Sequence, residues 1–296
     1  DSPITYKTPG QPSYSPVNYD GRFHGKVTLR TALGSSYNVP AVKILAANGV
    51  PNFIKFAQNL GISSWTDPSR YGLSLTLGGG EVTMLDMATA FGVFANSGSK
   101  TALHPIIYVR DSTGKVLEEF RCKYRPGVRA ADATEITNCD SEPVLDPRVA
   151  YLISNILSDN AARTPAFGPN SDLNVPKVAV KTGTTNNLRD NWTIGYTPDR
   201  LVAVWVGNND NSPMSYVSSG VTGASPIWRR IINDILKTTP SAGFIPPANL
   251  IQVNICTITG QLACEGCPVR SEYFIPGTEP KSACTKDQIE KIQEER

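Results

Sequence analysis

Apolar residues recur every three to four positions in several stretches of the chain, and this spacing places them on one side of a helix. The clearest stripe follows three consecutive glycines and consists of Met84, Leu85, Ala88, Phe91 and Phe94. We predict helices at 27–47 (interrupted at 34–36 and at Pro40), 50–60, 82–96, 146–157 and 223–236, the last carrying Ile227, Ile231 and Ile235.

Strand-like runs form two groups between these helices. Residues 105–110 and 115–120 flank an Asp-Ser-Thr-Gly turn, and 177–181, 191–196 and 201–206 follow later in the chain. The turn at 197–200 is too short for a parallel crossover, so neighbouring strands should be antiparallel. Helices, then antiparallel strands, then a closing helix predict an α+β fold with an antiparallel sheet packed between helices.

The two ends of the chain differ from this middle part. Residues 1–26 are rich in Pro, Gly, Ser and Tyr and lack periodicity, so we predict an irregular segment that lies over a surface. From about Pro240 the chain has the character of a Cys-rich C-terminal appendage. We therefore expect two units, at 1–240 and 241–296.

Cysteines are concentrated in that appendage. The six lie at positions 122, 139, 256, 264, 267 and 284. The last four fit either two disulfides or a zinc site around Cys264-x-x-Cys267, and their spacing does not decide between these. Cys122 and Cys139 bracket a polar stretch that a third disulfide would close. With two histidines and no His-Glu-x-x-His string we expect no catalytic metal, and we expect no cofactor.

Composition and charge exclude several other classes of protein. Apolar residues make up 40% of the 296 residues and charged residues 18%, which excludes disorder and coiled coil. A net charge of +2 gives no reason to expect a nucleic-acid partner. No apolar run reaches the roughly 18 residues of a membrane helix. Since the first residues are neither a starting methionine nor a signal peptide, we expect a mature or excised part of a longer protein.

The run Lys181-Thr182-Gly183-Thr184 carries the sharpest chemical signal. Side chains alternate along a strand, so Lys181 and Gly183 face one way and Thr182 faces the other. An ammonium beside a glycine can clamp an anion, because the glycine leaves room for a ligand against the strand. The hydroxyls of Thr182 and Thr184 can bind a carboxylate. Taken alone, the tripeptide is a weak signal, because a solvated strand end is its more common meaning.

Two Ser-x-Asn strings accompany it, at Ser36-Tyr37-Asn38 and at Ser158-Asp159-Asn160. Lys-Thr-Gly, Ser-x-Asn and Ser-x-x-Lys together form the motif set of the serine acyltransferases known as penicillin-binding proteins and β-lactamases. Residues 29–42 resemble the Ser-x-Asn region of class A penicillin-binding proteins. We therefore predict Ser36 and Asn38 as site residues and interpret the second string as polar residues at a helix end.

The likeness extends beyond the short motifs. Residues 77–88 and 94–98 are similar to the family's helical segment, and 181–184, 189–198 and 204–209 are similar to its sheet core. The chain thus resembles the transpeptidase domain of class A penicillin-binding proteins over roughly residues 15–238. The resemblance implies a β-lactamase/transpeptidase-like fold.

The resemblance also implies a reaction, a D,D-transpeptidation of peptidoglycan. A serine attacks the penultimate D-alanine of a stem peptide, and an amine of a neighbouring stem then takes the acyl group. β-Lactam antibiotics would enter as mimics of that acyl donor. Ser36 would lie between the nucleophile's lysine and Lys181 and relay a proton to the leaving nitrogen, and Asn38 would hydrogen-bond the substrate's backbone amide and the nucleophile's lysine. The carboxylate and backbone contacts are expected from Lys181, Thr182, Gly183 and Thr184.

The Ser-x-x-Lys element departs from the family's pattern. It occurs only at Ser97-Gly98-Ser99-Lys100, after the Ser-x-Asn element, whereas the family places its nucleophile before that element. We interpret this match as coincidence in a solvated turn. We expect the nucleophile to precede Asp1, and we expect this chain by itself to be inactive.

The family's setting implies an extracytoplasmic location, with a glycosyltransferase domain and a membrane anchor upstream. That location favours disulfides in the tail. Two alternatives stay open. The chain could be a non-catalytic module of the same fold that binds peptidoglycan or β-lactams, and the upstream sequence would test this. It could also be a β-lactamase, although the deacylating glutamate of that class has no identifiable counterpart in this sequence.

Overall fold

The computed structural model describes residues 1–7, 10, 12–120, 141–185, 188–214 and 222–294. The predicted helices are confirmed, the first of them as two helices, and two further ones appear. The helices are α1 (Leu29–Gly34), α2 (Asn38–Asn48), α3 (Val50–Leu60), α4 (Met84–Ala95), α5 (Pro147–Leu157), α6 (Asn160–Phe167), α7 (Ala224–Thr238) and α8 (Lys286–Glu294). Within the described residues, none of them has the length and apolar content that a bilayer crossing requires.

The strands pair in antiparallel fashion, as predicted. They are β1 (Ser99–Thr101), β2 (Tyr108–Arg110), β3 (Val116–Glu119), β4 (Ser141–Pro143), β5 (Ala179–Thr184), β6 (Asp190–Tyr196), β7 (Leu201–Gly207), β8 (Ile251–Cys256) and β9 (Val269–Phe274). β1 pairs with β4, β2 with β3 and β8 with β9, and β5, β6 and β7 form a three-stranded sheet in that order.

Two predicted strands have wrong boundaries. The run predicted at 105–110 is a strand only from Tyr108. The run predicted at 177–181 begins later and continues through the whole Lys-Thr-Gly element as β5. Lys177 lies in a left-handed backbone conformation (φ 61°) that a strand does not allow, so pairing starts beyond it.

The three-stranded sheet packs between helices, which confirms the predicted α+β architecture. On one face, Trp228 and Ile232 of α7 are fully buried and pack with Val180 of β5. On the other face, Phe91 of α4 meets the ring of Tyr196 edge-on, with the centroids 6.3 Å apart. Because side chains alternate along β5, Val180 faces α7 while Lys181 faces the side of α4 and α5.

Helix α6 was not predicted, because its sequence is polar and contains Pro165. Asp159 caps it by accepting a hydrogen bond from the Ala161 N–H at 3.0 Å. Its first turn lies directly against the last residue of α1. A β-carbon added at Gly34 would lie 2.8 Å from the Ala162 Cβ, so only glycine allows this approach of the two helices.

The C-terminal appendage is built on the β8–β9 hairpin. Cys256 pairs with Cys267 and Cys264 pairs with Cys284, so the tail cysteines form the two disulfides rather than a zinc site. The buried cysteines form a small core together with Ile289 of α8. The expected Cys122–Cys139 disulfide lies outside the described residues.

The contact between α1 and α6 yields a stability prediction. Gly34→Ala should lower the free energy of unfolding by about 1–3 kcal/mol, since the added methyl group overpacks a helix contact with no room for it. Gly92→Ala in α4 is the matched control, because an added Cβ there meets nothing within 4 Å. It should be neutral or stabilise by about 0.5–1 kcal/mol. Chemical denaturation checks both, and equal effects of the two substitutions would contradict the prediction.

Candidate functional site

The site is centred on a contact between the early helices and the late sheet. The Lys181 ammonium donates a hydrogen bond to the Ser36 hydroxyl oxygen at 2.6 Å, across 145 residues of sequence. It donates another to the carbonyl oxygen of Thr182 at 2.7 Å. The structure therefore brings together the two motif residues that the sequence suggested would meet.

Local backbone geometry fixes the position of Ser36. The residue has a left-handed conformation (φ 58°), which is uncommon outside glycine and turns the chain sharply between α1 and α2. The neighbouring Ser35 hydroxyl donates to the carbonyl of Ala162 at 2.9 Å. The Tyr37 N–H donates to the carbonyl of Ala32 at 2.9 Å. Helix α1 and helix α6 thus hold the turn that presents Ser36 to Lys181.

Asn38 is the first residue of α2 and is tied to the N-terminal segment. Its side-chain amide donates to the carbonyl of Val17 at 2.9 Å. Its backbone N–H donates to the side-chain oxygen of Asn18 at 2.9 Å, which caps the helix. The predicted irregular segment therefore braces the Ser-x-Asn element. The expected bond from Asn38 to a substrate amide stays a prediction.

The predicted carboxylate-binding residues lie along β5. Within the described residues, β5 has a strand neighbour on one side only, β6, so its other edge can accept an added strand. Thr182 and Thr184 face away from Lys181, towards the α7 side. Thr184 accepts a hydrogen bond from the Asn191 side chain at 3.4 Å.

Packing inside the protein does not require a glycine at Gly183. A β-carbon added there would lie 3.5 Å from the Trp192 Cβ, an ordinary van der Waals distance. Internal packing therefore does not explain the glycine, and the expectation that it leaves room for a ligand stays a prediction.

The electrostatics of the site favour an anion. Desolvation, with a further contribution from the nearby charge of Arg163, lowers the pKa of Lys181 to about 8. Arg163 is itself buried, at 2% exposure, and its guanidinium donates to the carbonyl of Leu173 at 2.7 Å and to that of Leu157. Both groups are predominantly cationic at neutral pH, and their mutual repulsion makes a negative ligand favourable.

The competing motif strings lie where the sequence interpretation placed them. Ser158 ends α5 and donates to the carbonyl of Asn155 at 3.2 Å, and Asn160 begins α6 and donates to that of Pro169 at 2.9 Å. Ser97 lies exposed in the turn after α4. Lys100 forms an ion pair with Glu142 at 3.3 Å.

Sequence reasoning missed two residues that support the site. Arg163 escaped notice because its segment was not predicted as a helix, so nothing placed a buried cation beside Lys181. Asn18 lay in a stretch without periodicity, although it is 4% exposed and caps α2. A buried arginine or asparagine in an otherwise irregular stretch leaves no periodic pattern that could reveal it.

A Ser-x-Asn turn hydrogen-bonded to a Lys-Thr-Gly edge strand defines the class of serine acyltransferases of the penicillin-binding type. The family model "Penicillin binding protein transpeptidase domain" matches residues 1–236. A second model, "Penicillin-binding protein 1A, C-terminal domain", matches residues 246–288. The chain belongs to the penicillin-binding protein transpeptidase domain family.

Curated relatives carry the same family name. The chain is 33% identical over 256 residues to penicillin-binding protein 1A of Neisseria meningitidis serogroup A, covering 86% of this chain and 30% of that protein. It is 32% identical over 290 residues to penicillin-binding protein 1A of Clostridium tetani, covering 92% and 34%. The chain therefore spans about a third of the length of these relatives.

Solved structures share the fold. The crystal structure of penicillin-binding protein 1A from Haemophilus influenzae superimposes with a TM-score of 0.80 at 27% identity, covering 96% of this chain and 45% of that one. Penicillin-binding protein A from M. tuberculosis, in an imipenem acyl-enzyme complex, gives 0.58 at 21% identity, covering 78% and 53%. At that identity the second likeness concerns the fold alone.

The lowered pKa of Lys181 gives a pH prediction. Desolvation disfavours the charged form, so the ammonium should lose its proton around pH 8 rather than at the ordinary lysine value of 10.5. Anion affinity at Ser36–Lys181 should therefore fall as the pH rises through about 8. NMR titration of the lysine ε-carbons checks this, with Lys181→Gln identifying the signal by its loss. A midpoint at the ordinary value would contradict the prediction.

Proposed function

We propose that residues 1–236 are the transpeptidase region of a peptidoglycan D,D-transpeptidase, which also reacts with β-lactams. The observation that carries the proposal is the 2.6 Å hydrogen bond from Lys181 to Ser36. It joins the Ser-x-Asn turn and the Lys-Thr-Gly strand, which are far apart in the sequence and must line the same cleft for the reaction. Membership of the penicillin-binding protein family supports the proposal.

The geometry suits recognition of a peptide that ends in a free carboxylate. The cationic Lys181 would bind that carboxylate. The hydroxyls of Thr182 and Thr184 lie on the other face of β5, so they would have to reach it around the edge of the strand. The open edge of β5 would pair with the peptide backbone as an added strand, which Gly183 leaves room for. A backbone N–H of the same strand would stabilise the oxyanion that forms when the carbonyl is attacked.

The acid–base work would fall on Ser36. Its hydroxyl accepts the Lys181 hydrogen bond, so its own proton is free to be donated elsewhere. In the reaction it would pass a proton to the departing nitrogen and take its replacement from Lys181 or from the lysine of the nucleophile motif. Asn38 would hold the substrate's amide. The acyl group itself would be carried by the serine of a Ser-x-x-Lys element, with D-alanine leaving and a stem-peptide amine accepting the acyl group.

The partners and location follow from the same proposal. The substrates would be peptidoglycan stem peptides, and β-lactam antibiotics would be inhibitors. Peptidoglycan lies outside the cytoplasmic membrane, where the two tail disulfides are stable. We propose an extracytoplasmic domain that is joined upstream to a membrane anchor and a glycosyltransferase domain.

Substitutions at the cleft in the full-length protein test this function. Lys181→Gln should reduce the rate of covalent labelling by a fluorescent penicillin by roughly a hundredfold or more, since it removes the carboxylate clamp and a proton donor. Ser36→Ala should reduce it comparably, because the proton relay is lost. Ser158→Ala, in the second Ser-x-Asn string, should leave the rate unchanged. Normal labelling of a folded Lys181→Gln protein would overturn the proposal.

The chain by itself should behave differently. Its Ser-x-x-Lys string lies in the exposed turn after α4, so we expect no covalent labelling of residues 1–296 by the same penicillin. Mass spectrometry of the incubated protein measures the result directly. A mass increase equal to one penicillin, lost on Ser97→Ala, would show that this serine is a nucleophile after all.

A further inference from the structure

We propose that Glu272, in the C-terminal appendage, is a positioning residue for the Ser36–Lys181 site and acts through Arg30 of α1. This inference rests on the proposed function, because it concerns the rate of that site's chemistry. The disulfide-bonded appendage would thus help to hold the Ser-x-Asn element in place.

The first step is the burial of Arg30. The residue is 7% exposed and lies in the first turn of α1, six positions before Ser36. Its guanidinium forms a two-pronged pair with the Glu272 carboxylate, through Nε at 2.6 Å and through Nη2. A bidentate pair of this kind fixes the arginine in direction as well as in distance.

The Arg30 guanidinium also contacts residues outside the appendage. Arg30 also donates to Asp159 at 3.2 Å and to the side-chain oxygen of Asn155 at 2.6 Å. Asp159 caps α6, the helix that packs against Gly34. Arg270, two residues before Glu272 on β9, pairs with Asp159 at 2.7 Å. The appendage therefore reaches both helices that hold the Ser36 turn.

Helix α1 connects Arg30 to the Ser36 turn over a short distance. Helix α1 has only six residues, so a shift at Arg30 is carried directly to its end. At that end Ser36 must lie within hydrogen-bond distance of Lys181, which belongs to β5 of the sheet and not to α1. A displacement of about 1 Å is enough to lower a catalytic rate substantially.

Removing the Glu272 charge should therefore loosen α1 relative to β5. The buried guanidinium of Arg30 would keep Asp159 and Asn155 but lose its bidentate partner, and a buried charge that loses a partner destabilises its surroundings. Because Lys181, Thr182 and Thr184 lie on β5, the binding of the substrate carboxylate should be preserved. The effect should fall on the acylation step.

The experiment uses the full-length protein and a fluorescent penicillin in stopped-flow. Glu272→Gln should lower the acylation rate constant about tenfold, while the dissociation constant of the noncovalent complex and the labelled fraction stay within twofold. Glu265→Gln, on the exposed part of the same appendage, should change neither.

Hydrogen exchange supplies a readout that does not depend on activity. Protection of the Ser35 and Tyr37 amides, which donate to α1 carbonyls, should fall in Glu272→Gln and not in Glu265→Gln. If the wild-type protein is not acylated, the proposed function fails while hydrogen exchange still measures the coupling. An unchanged rate constant in Glu272→Gln overturns the inference, and so does a loss of labelled fraction at a normal rate constant, which indicates a purely structural role.

Discussion

The hydrogen bond between the Lys181 ammonium and the Ser36 hydroxyl is the interaction on which the rest of this structure depends. Its two partners come from elements that lie far apart in the chain: a turn between short helices and the edge strand of a sheet. A 2.6 Å contact between them requires that α1, α6 and β5 all be placed correctly. The absence of a side chain at Gly34 and the left-handed backbone at Ser36 are best understood as conditions for that placement.

The two cations near this contact, Arg30 and Lys181, have different partners. Arg30 faces the carboxylates of Glu272 and Asp159, so its charge is satisfied within the protein. Lys181 faces a hydroxyl and a carbonyl, with the charge of Arg163 nearby, so its own charge is available to an anionic ligand. Of these two cations, only Arg30 forms ion pairs among the described residues, which is why we propose Lys181 as the one that binds a carboxylate.

Much of the fold could be predicted from periodicity, and the failures have physical causes. The spacing of apolar residues located α4, although Met84 and Leu85 of the predicted stripe are exposed and Ala90 and Val93 are buried instead. Helix α6 has no such stripe, since it is held by the Asp159 cap and by contact with Gly34 rather than by a broad apolar face. On α7 the sequence shows Ile227 and Ile231, yet the structure exposes about half of each and buries Trp228 and Ile232 instead. Periodicity locates a helix better than it chooses its buried side.

The sequence by itself determined which residue types carry the chemistry: a lysine and a glycine on one strand, and a serine and an asparagine at a helix start. It also determined the family, through the order and spacing of those motifs. Only the tertiary structure decided that burial and the charge of Arg163 lower the pKa of Lys181, and that the appendage contacts α1. These facts depend on contacts between residues far apart in the chain, and a local pattern records burial and turns but not the partner across the fold.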